Sequence, residues 1–184
     1  MNAVKSDAVR LKPFDMLMDQ QKIGRRIEQL GQQISGDYCG KTPVLIGVLK
    51  GCIMFLSDLM RNINIPMELE FISAASYRNG VVQDENILIS GQSSIPLKDR
   101  HVLLVDGIVD SGRTVRSLIS RIEKMEPASI EVATMLDKPS SHREELTIKY
   151  KGFSIGNEFV IGYGLDNTQL YRNLPFIGRM VDDR

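Results

Sequence analysis

Residues 101–114 read HVLLVDGIVDSGRT, an apolar run that ends in two acids, two glycines and two hydroxyl side chains. A continuous apolar run of this kind is typical of a strand that is buried on both faces of a parallel sheet. Beyond the turn, apolar residues recur at helical spacing: Val115, Leu118, Ile119, Ile122 and Met125. The stretch therefore predicts a buried strand, a turn and an amphipathic helix that ends before Pro127.

Similar strand and helix patterns flank this stretch on both sides. VLIGVL (44–49) and SIEVATML (129–136) predict further parallel strands, and FVIGYGLD (159–166) is interpreted as a fourth. CIMFLSDLMRNI (52–63) is mostly apolar and predicts a helix. An earlier amphipathic helix, which Gly36 is placed to end, is predicted by one apolar face: Ile23, Ile27, Leu30 and Ile34.

A long polar stretch separates two shorter strand patterns. MELEFI (67–72) and ILIS (87–90) read as strands on either side of SAASYRNGVVQDEN (73–86). A loop of this length in a compact domain is usually functional or disordered, and we interpret it as a mobile loop. Strands that alternate with helices predict an α/β fold with a mainly parallel sheet flanked by helices.

Length, charge and cysteine usage narrow the class of protein. The 184 residues suit one domain spanning 1–184, and 23 basic against 23 acidic residues give a formal net charge of +0. This balance gives no global reason to expect nucleic acid or a membrane as a partner. Cys39 and Cys52 form no CxxC pair, so a zinc site is not expected. The N-terminal stretch has no signal-peptide pattern, and a cytoplasmic location is the default expectation.

Charged and glycine-containing turns follow the predicted strands. Lys50 and Gly51 follow the first, Asp106 and the segment 110–114 follow the second, and Lys138 follows the third. Asp137 precedes Lys138, and Asp166 ends the predicted fourth strand. Ligands of open parallel sheets bind at the carboxyl ends of the strands, so these side chains are expected to converge there.

The turn between strand and helix has the composition of a phosphate site. Free N–H groups at a helix start attract anions, Gly112 permits a close approach of the backbone, and Ser111 and Thr114 add hydroxyl donors. The GxxxxGK[ST] and GxGxxG patterns are both absent. A plain turn with Ser or Thr capping the helix is an equally good explanation of these residues alone.

Asp106 favours the phosphate site over the plain turn. A carboxylate beside a phosphate pocket repels phosphate unless the carboxylate has another partner. Such a group accepts hydrogen bonds from sugar hydroxyls or holds a hydrated divalent cation. A phosphate site next to a diol site describes a ribose 5-phosphate.

At this point a resemblance to a known family becomes specific. HVLLVDGIVDSGRT resembles the signature of the type I phosphoribosyltransferases, and the remaining motifs resemble the hypoxanthine-guanine branch. In chain order, these motifs are VLKGCIMFLSDLMR, ISAASYRNG, MLDKP, FVIGYGLD and YRNLPFIG. The resemblance implies a small hood formed by the terminal segments, a lid loop, and transfer of phosphoribose from 5-phosphoribosyl 1-pyrophosphate (PRPP) to hypoxanthine or guanine. It also implies Mg²⁺ as cofactor and a homodimer or homotetramer.

The resemblance assigns roles on the phosphate side of the site. Asp110 is implied to be the catalytic acid near purine N7, although a helix N-cap is also possible for it. The 5-phosphate is implied to bind the segment Asp110, Ser111, Gly112, Arg113 and Thr114, with Arg113 pointing outward. Asp106 is implied to bind ribose, and the pyrophosphate ligands are implied to be Lys50, Gly51 and Arg172.

On the purine side, the resemblance implies that Lys138 donates to the 6-oxo group and that Phe159 stacks on the base. Val160 is implied to offer backbone groups to the base edge. Asp166, with Asp106, is implied to bind the metal. Ser76 and Tyr77 are implied to lie on the lid, which would exclude water. The histidines, His101 and His142, are assigned no role.

One position departs from the family pattern. Members commonly carry two adjacent acids where this chain has Asp106 and Gly107. We expect Asp106 to act alone or with water, and a Gly107→Asp variant to bind PRPP at least as tightly. The missing acid also leaves two alternatives open: a PRPP- or nucleotide-sensing regulator on the same fold, and a sibling transferase for xanthine or, less in keeping with the motifs, a pyrimidine.

Overall fold

The computed structural model describes residues 13–75, 88–90 and 95–181, and these form two sheets and three α-helices. The strands are β1 (Phe14–Met18), β2 (Val44–Leu49), β3 (Glu68–Ala75), β4 (Leu88–Ser90), β5 (His101–Val109), β6 (Ser129–Asp137), β7 (Tyr150–Ser154), β8 (Val160–Ile161) and β9 (Ile177–Met180). The helices are α1 (Gln20–Asp37), α2 (Ile53–Arg61), α3 (Arg113–Glu123) and a short 3₁₀ turn, Pro139–Ser141.

The main sheet has six strands in the order β4-β3-β2-β5-β6-β7. β3, β2, β5, β6 and β7 are parallel, and only β4 runs antiparallel, paired to β3. β5 lies near the centre of this order and is buried along most of its length. The predicted α/β fold, with a mainly parallel sheet flanked by helices, is confirmed.

Alternation along the central strands divides the core between two faces. Leu45 and Leu103 join a cluster with the apolar faces of α1 and α2, whereas Ile46 and Leu104 join a second cluster with α3. Successive side chains of a strand point to opposite faces, so an unbroken apolar run covers both. The continuous apolar sequence of these strands is therefore explained by helices that pack on both faces of the sheet.

The terminal segments form the second sheet, which is the hood that the resemblance implied. Its three antiparallel strands have the order β1-β9-β8. Met18, Val160 and Ile177 belong to the same hydrophobic cluster as Leu45 and Leu103 of the main sheet. The hood therefore shares its core with the main sheet.

The interpretation of FVIGYGLD (159–166) as a fourth parallel strand is wrong. Only Val160–Ile161 is a strand, and it pairs antiparallel with β9. The chain then turns at Gly162, Tyr163 and Gly164, which have positive φ angles of 86°, 49° and 93°. An extended strand cannot continue through left-handed residues.

The parallel strand missing from the sequence prediction is β7, YKGFS. It lies at the edge of the sheet, and only Tyr150 in it is fully buried. It follows β6 without an intervening α-helix. A short, partly polar edge strand carries no continuous apolar run, so the pattern that identified its neighbours is absent.

The helices match their predicted faces. In α1 the buried residues are Ile23, Ile27, Leu30, Gly31 and Ile34, and Asp19 caps the N-terminus by accepting from the N–H of Lys22 at 2.7 Å. The helix ends at Asp37, one residue beyond the predicted stop at Gly36. None of the helices in the described ranges is long and apolar enough to cross a membrane. Ser76 and Tyr77, assigned to the lid, lie outside the described residues.

A pair of buried tyrosines provides a test of the packing between α1 and β7. Tyr150 Oη donates to Asp37 Oδ2 at 2.8 Å, and this bond is the main cause that lowers the pKa of Asp37. Tyr150→Phe is expected to lower the free energy of unfolding at neutral pH by about 1 kcal/mol, because it removes one hydrogen bond to a charged group. Urea denaturation measures the change.

The loss should shrink in acid. The ionised form of Asp37 contributes stability above its ordinary pKa of 3.8, and this contribution is lost as the pH falls through the lowered value. Tyr38→Phe is the comparison variant, because the buried Tyr38 hydroxyl lies near Ser129 and Tyr150 but makes no hydrogen bond to a carboxylate within the described ranges. A Tyr38→Phe loss as large as that of Tyr150→Phe would contradict the assignment.

Candidate active site

The loops that follow β2, β5 and β6 meet at the carboxyl edge of the main sheet, as predicted. Lys138 Nζ lies 3.0 Å from Asp110 Oδ2, and the Lys138 N–H donates to the Val109 carbonyl at 2.9 Å. The Arg143 N–H donates to the Ser111 carbonyl at 3.1 Å. Parallel pairing of β5 with β6 places Val109 opposite Asp137, which fixes this proximity.

The turn 110–114 has the geometry of an anion site. Gly112 is the N-cap of α3 with a φ of 78°, and no side chain caps the helix. The explanation of the turn as a Ser or Thr cap is therefore wrong, and the first N–H groups of α3 have no capping side chain. Ser111 and Thr114 are partly buried, and Arg113 is exposed, as the outward orientation requires.

Asp110 and Lys138 form an ion pair between an exposed acid and a buried base. The Lys138 side chain is 8% exposed and that of Asp110 is 58% exposed. A lysine so deeply buried requires a carboxylate partner, and Asp110 supplies it at the solvent side. The pair places a cation at the floor and an anion at the rim of one small site.

Asp137, which sequence reasoning left without a role, anchors the neighbouring loop. Its carboxylate is 1% exposed, accepts from Lys151 Nζ at 2.6 Å and lies 2.8 Å from His142 Nε2. The position of Lys138 therefore depends on a buried acid held by side chains from β7 and from the loop after β6. Only the adjacency of Asp137 to Lys138 signalled this in the sequence.

Asp106 lies on β5 close to the loop that follows β2. Burial raises its pKa to about 7, and hydrogen bonds from the N–H groups of Gly107 and Ile108 oppose that effect. Burial also raises the pKa of the Cys52 thiol to about 12, with the charge of Asp106 as the second cause. Asp106 is thus an acid that desolvation keeps close to its protonated form.

The loop after β2 carries Lys50 toward the hood. The Leu49–Lys50 peptide bond is cis. Lys50 is exposed, and its Nζ lies 3.5 Å from Gln169 Oε1. Gln169 also accepts from Arg172 Nη2 at 3.2 Å. This glutamine, absent from the predicted site, links the two cations assigned to pyrophosphate, and no motif in the sequence marked it.

Arg172 and Asp166 are brought together in the hood loop. Arg172 Nη2 lies 2.7 Å from Asp166 Oδ1, and Arg172 Nη1 donates to the Gly164 carbonyl at 2.8 Å. Asp166 Oδ2 accepts from the Gln169 N–H at 2.8 Å. With the bond to Gln169, these contacts use three of the five guanidinium N–H groups of Arg172, so a donor on Nη1 is left for a ligand.

Two of the residues assigned to the purine, Phe159 and Val160, lie at the start of β8. Phe159 is 43% exposed, which is unusual for a ring of this size and leaves a face available for stacking. Val160 is in β8, the edge strand of the hood sheet, and is registered opposite Arg179 of β9. An edge strand presents backbone groups on its unpaired side.

Gly107 leaves no room for the second acid. A Cβ at this position would lie 2.4 Å from the Gly51 carbonyl oxygen and 2.8 Å from the Gly51 carbonyl carbon. A side chain at position 107 would have to displace this backbone, which argues against the expectation that Gly107→Asp binds PRPP at least as tightly.

The described residues contain no group of three or more His, Cys, Asp or Glu side chains arranged as metal ligands. Asp106 is separate from other acids in the site, and Asp166 is engaged by Arg172. Such a donor set suits a magnesium ion that keeps water and substrate phosphate oxygens as its main ligands.

Comparison with known proteins identifies the class. The model of the phosphoribosyl transferase domain matches residues 13–168. The chain therefore belongs to the phosphoribosyl transferase family. Similar proteins in that family include enzymes named for hypoxanthine, alone or together with guanine.

The hypoxanthine-guanine phosphoribosyltransferase of Streptococcus pneumoniae is 39% identical over 168 residues, which cover 91% of this chain and 93% of the relative. The hypoxanthine phosphoribosyltransferase of Haemophilus influenzae is 38% identical over 170 residues, covering 91% and 95%. The crystal structure of a hypoxanthine-guanine phosphoribosyltransferase from Bacillus anthracis aligns with a TM-score of 0.86 at 35% identity, covering 91% and 98%.

The raised pKa of Asp106 generates a prediction for stability. Between its ordinary value of 3.8 and about 7, the folded state binds more protons at Asp106 than the unfolded state does. Stability attributable to this residue therefore falls as the pH rises through that window. Asp106→Asn should gain stability relative to wild type from pH 4 to pH 8, reaching its full gain above about pH 7. Thermal unfolding across this range measures the difference.

Asp15→Asn, at an exposed position of the hood, is the control. It should show no such rise in relative stability. A flat difference between Asp106→Asn and wild type from pH 4 to pH 8 would contradict the raised pKa of Asp106.

Proposed function

We propose that the protein is an enzyme of purine salvage that transfers the 5-phosphoribosyl group from PRPP to hypoxanthine, guanine or both. The products are the nucleotides IMP or GMP and pyrophosphate. The observation that carries the proposal is the 3.0 Å pair between buried Lys138 and exposed Asp110, directly beside an uncapped helix N-terminus. The uncapped start of α3 suits the phosphate of a ribose 5-phosphate, and buried Lys138 suits the oxo group of an oxopurine. Asp110 supplies a carboxylate at the rim between them.

The purine side selects by hydrogen-bond polarity. Lys138 offers only donors, so it matches the 6-oxo group of hypoxanthine and guanine and mismatches the amino group of adenine. Phe159 stacks on the base through its exposed ring, and Val160 reads the base edge through its backbone. The relatives' names are consistent with this choice of base.

On the phosphate side, the first turn of α3 binds the 5-phosphate. Backbone N–H groups and the hydroxyls of Ser111 and Thr114 donate to its oxygens, and the helix dipole favours the charge. Asp106 accepts from the ribose hydroxyls. Lys50, Gly51 and Arg172 bind the pyrophosphate, for which the cations near Gln169 provide charge complementarity.

Asp110 is the catalytic residue of the proposal. The bond between ribose C1 and pyrophosphate breaks as purine N9 bonds to C1, and positive charge develops on the ribose and the base. The carboxylate at the rim stabilises that charge and accepts the proton from N7. Its exposure of 58% and its contact with Lys138 support this role.

Mg²⁺ is proposed to enter with PRPP, with Asp106 and Asp166 contributing oxygens or water-mediated contacts. A bound magnesium ion neutralises charge on the leaving pyrophosphate. The lid residues Ser76 and Tyr77 are assigned to water exclusion on the resemblance alone.

We also propose a single functional domain over 1–184 in the cytoplasm, assembled as a homodimer or homotetramer, with small molecules rather than nucleic acid or membrane as partners. Both cysteines are free thiols, which suits a reducing compartment. The exposed apolar side chains Ile53, Met54 and Phe71 of α2 and β3 offer a surface for self-association.

A panel of bases tests the proposal. The protein is mixed with PRPP, Mg²⁺ and one of hypoxanthine, guanine, xanthine, adenine or uracil, and nucleotide formation is measured. We expect turnover with hypoxanthine or guanine and none with adenine or uracil, because Lys138 supplies a donor to the 6-oxo group. Turnover restricted to xanthine would favour the sibling transferase, and binding of PRPP with no turnover on any base would favour the sensing regulator.

Two substitutions separate the roles of the ion pair. Lys138→Ala should raise the KM for hypoxanthine by about tenfold to a hundredfold, the equivalent of one charge-assisted hydrogen bond, with a smaller effect on the KM for PRPP. Asp110→Asn should lower kcat by about a hundredfold or more. Steady-state kinetics measure both.

Lys98→Ala is the control, since Lys98 is an exposed lysine paired only with Glu126 away from the strand ends. It should leave both constants unchanged. Equal effects of Lys138→Ala on the two substrates would contradict a role specific to the base.

A further inference from the structure

Three glycine backbones meet where the loop after β2 passes between β5 and the hood. The Gly51 carbonyl oxygen lies 2.4 Å from the Cβ position that a side chain at Gly107 would take, and 2.5 Å from the equivalent position at Gly164. In glycine, a hydrogen takes the direction in which Cβ would lie. Gly107 and Gly164 therefore each point a Cα–H bond at the Gly51 carbonyl oxygen. Weak contacts of this kind recur where backbones approach closely.

The steric consequences at the two positions differ. Contacts of less than 3.0 Å between a Cβ and another atom are essentially never seen, and the obstructing atoms at Gly107 are backbone atoms of Gly51 and Cys52. A methyl group there must displace the loop by about half an ångström or more. Gly164 has in addition a φ of 93°, which strains any other residue.

The hood side of this contact is held by its own bond. Tyr163 Oη donates to Asp58 Oδ2 of α2 at 2.5 Å, next to the contact made by Gly164. Gly164 in turn accepts from Arg172 Nη1 at 2.8 Å. The segment that presses on the Gly51 carbonyl is thus tied both to α2 and to one of the proposed pyrophosphate ligands.

We infer that Gly107 and Gly164 are positioning residues for pyrophosphate, whose bare backbones fix the Gly51 peptide and with it the loop that carries Lys50. The inference rests on the proposed function, which assigns this loop to pyrophosphate. The loop is held between β5, which carries Asp106 and leads into the proposed phosphate turn, and the hood, which carries Phe159 and Val160. The position of the loop therefore depends both on β5, through Gly107, and on the hood, through Gly164.

Gly107→Ala tests the inference, because Gly107 lies outside the left-handed region and an alanine there is opposed only by the contact. We expect the KM for PRPP, and for pyrophosphate in the reverse reaction, to rise by about tenfold or more, since small misplacements of binding groups have large effects. The KM for hypoxanthine should change by less than about twofold. A purely structural role would not raise the KM for PRPP and pyrophosphate while leaving the KM for hypoxanthine almost unchanged.

Gly107→Asp should have a larger effect in the same direction. Gly24→Ala is the matched control, because Gly24 is exposed on α1 and its Cβ would meet nothing within 4 Å. It should leave all three constants at their wild-type values. Unchanged KM values for PRPP and pyrophosphate in folded Gly107→Ala would overturn the inference.

If Gly107→Ala does not fold, Tyr163→Phe provides the second test. It releases the hood side of the contact while Asp58 keeps its ion pair with Arg61. We expect the KM for pyrophosphate to rise by about threefold, with the KM for hypoxanthine unchanged. An unchanged KM for pyrophosphate in this variant would then overturn the inference.

Failure of the proposed function is distinguishable from failure of the positioning role. If the wild-type protein makes no nucleotide, pyrophosphate is titrated into wild type and into Gly107→Ala, or Tyr163→Phe, by calorimetry. Weaker binding by the variant supports the positioning role without any turnover. Equal binding, or no binding of pyrophosphate by the wild-type protein, overturns it.

Discussion

Parallel pairing of β5 with β2 and β6 is the constraint on which the rest of the structure depends. Because all three strands run in one direction, their carboxyl ends deliver Lys50, Asp110 and Lys138 to the same edge of the sheet. Helices on both faces favour apolar residues along most of the central strands, and most of the charged side chains of the site lie at or beyond the strand ends. Fold and site are thus consequences of the same pairing.

Predictions from the sequence succeeded where a local residue pattern arises from one kind of structure, as a continuous apolar run does in a buried parallel strand. The apolar runs at β2, β5 and β6 identified the core, and the composition of 110–114 predicted the turn that precedes α3. β7 was missed because an edge strand needs no apolar run, and 159–166 was misassigned because a buried apolar segment does not reveal whether it continues as a strand. The crowding at Gly107 involves residues 56 positions apart in sequence, so no local pattern could reveal it.

Backbone strain in the candidate site is concentrated in the hood loop, residues 162–171. Between residues 162 and 171, Tyr163, Thr168, Gln169 and Tyr171 all have positive φ angles, and Thr168 is β-branched, for which this conformation is a genuine outlier. Each such residue costs about 1–3 kcal/mol, and surrounding contacts must hold it in place. The bonds among Asp166, Gln169 and Arg172 provide such contacts. Binding groups held in advance lose less entropy when a ligand arrives.

The edge position of β7 has a consequence beyond its role in holding Asp137. An exposed sheet edge is a template for pairing with other chains, and charged side chains on it oppose such pairing. β7 carries Lys151, follows directly after Lys149 and is only five residues long. The β7 border of the main sheet is therefore a poor template for amyloid-like growth, and the lysine that neutralises a buried acid also opposes edge-to-edge aggregation.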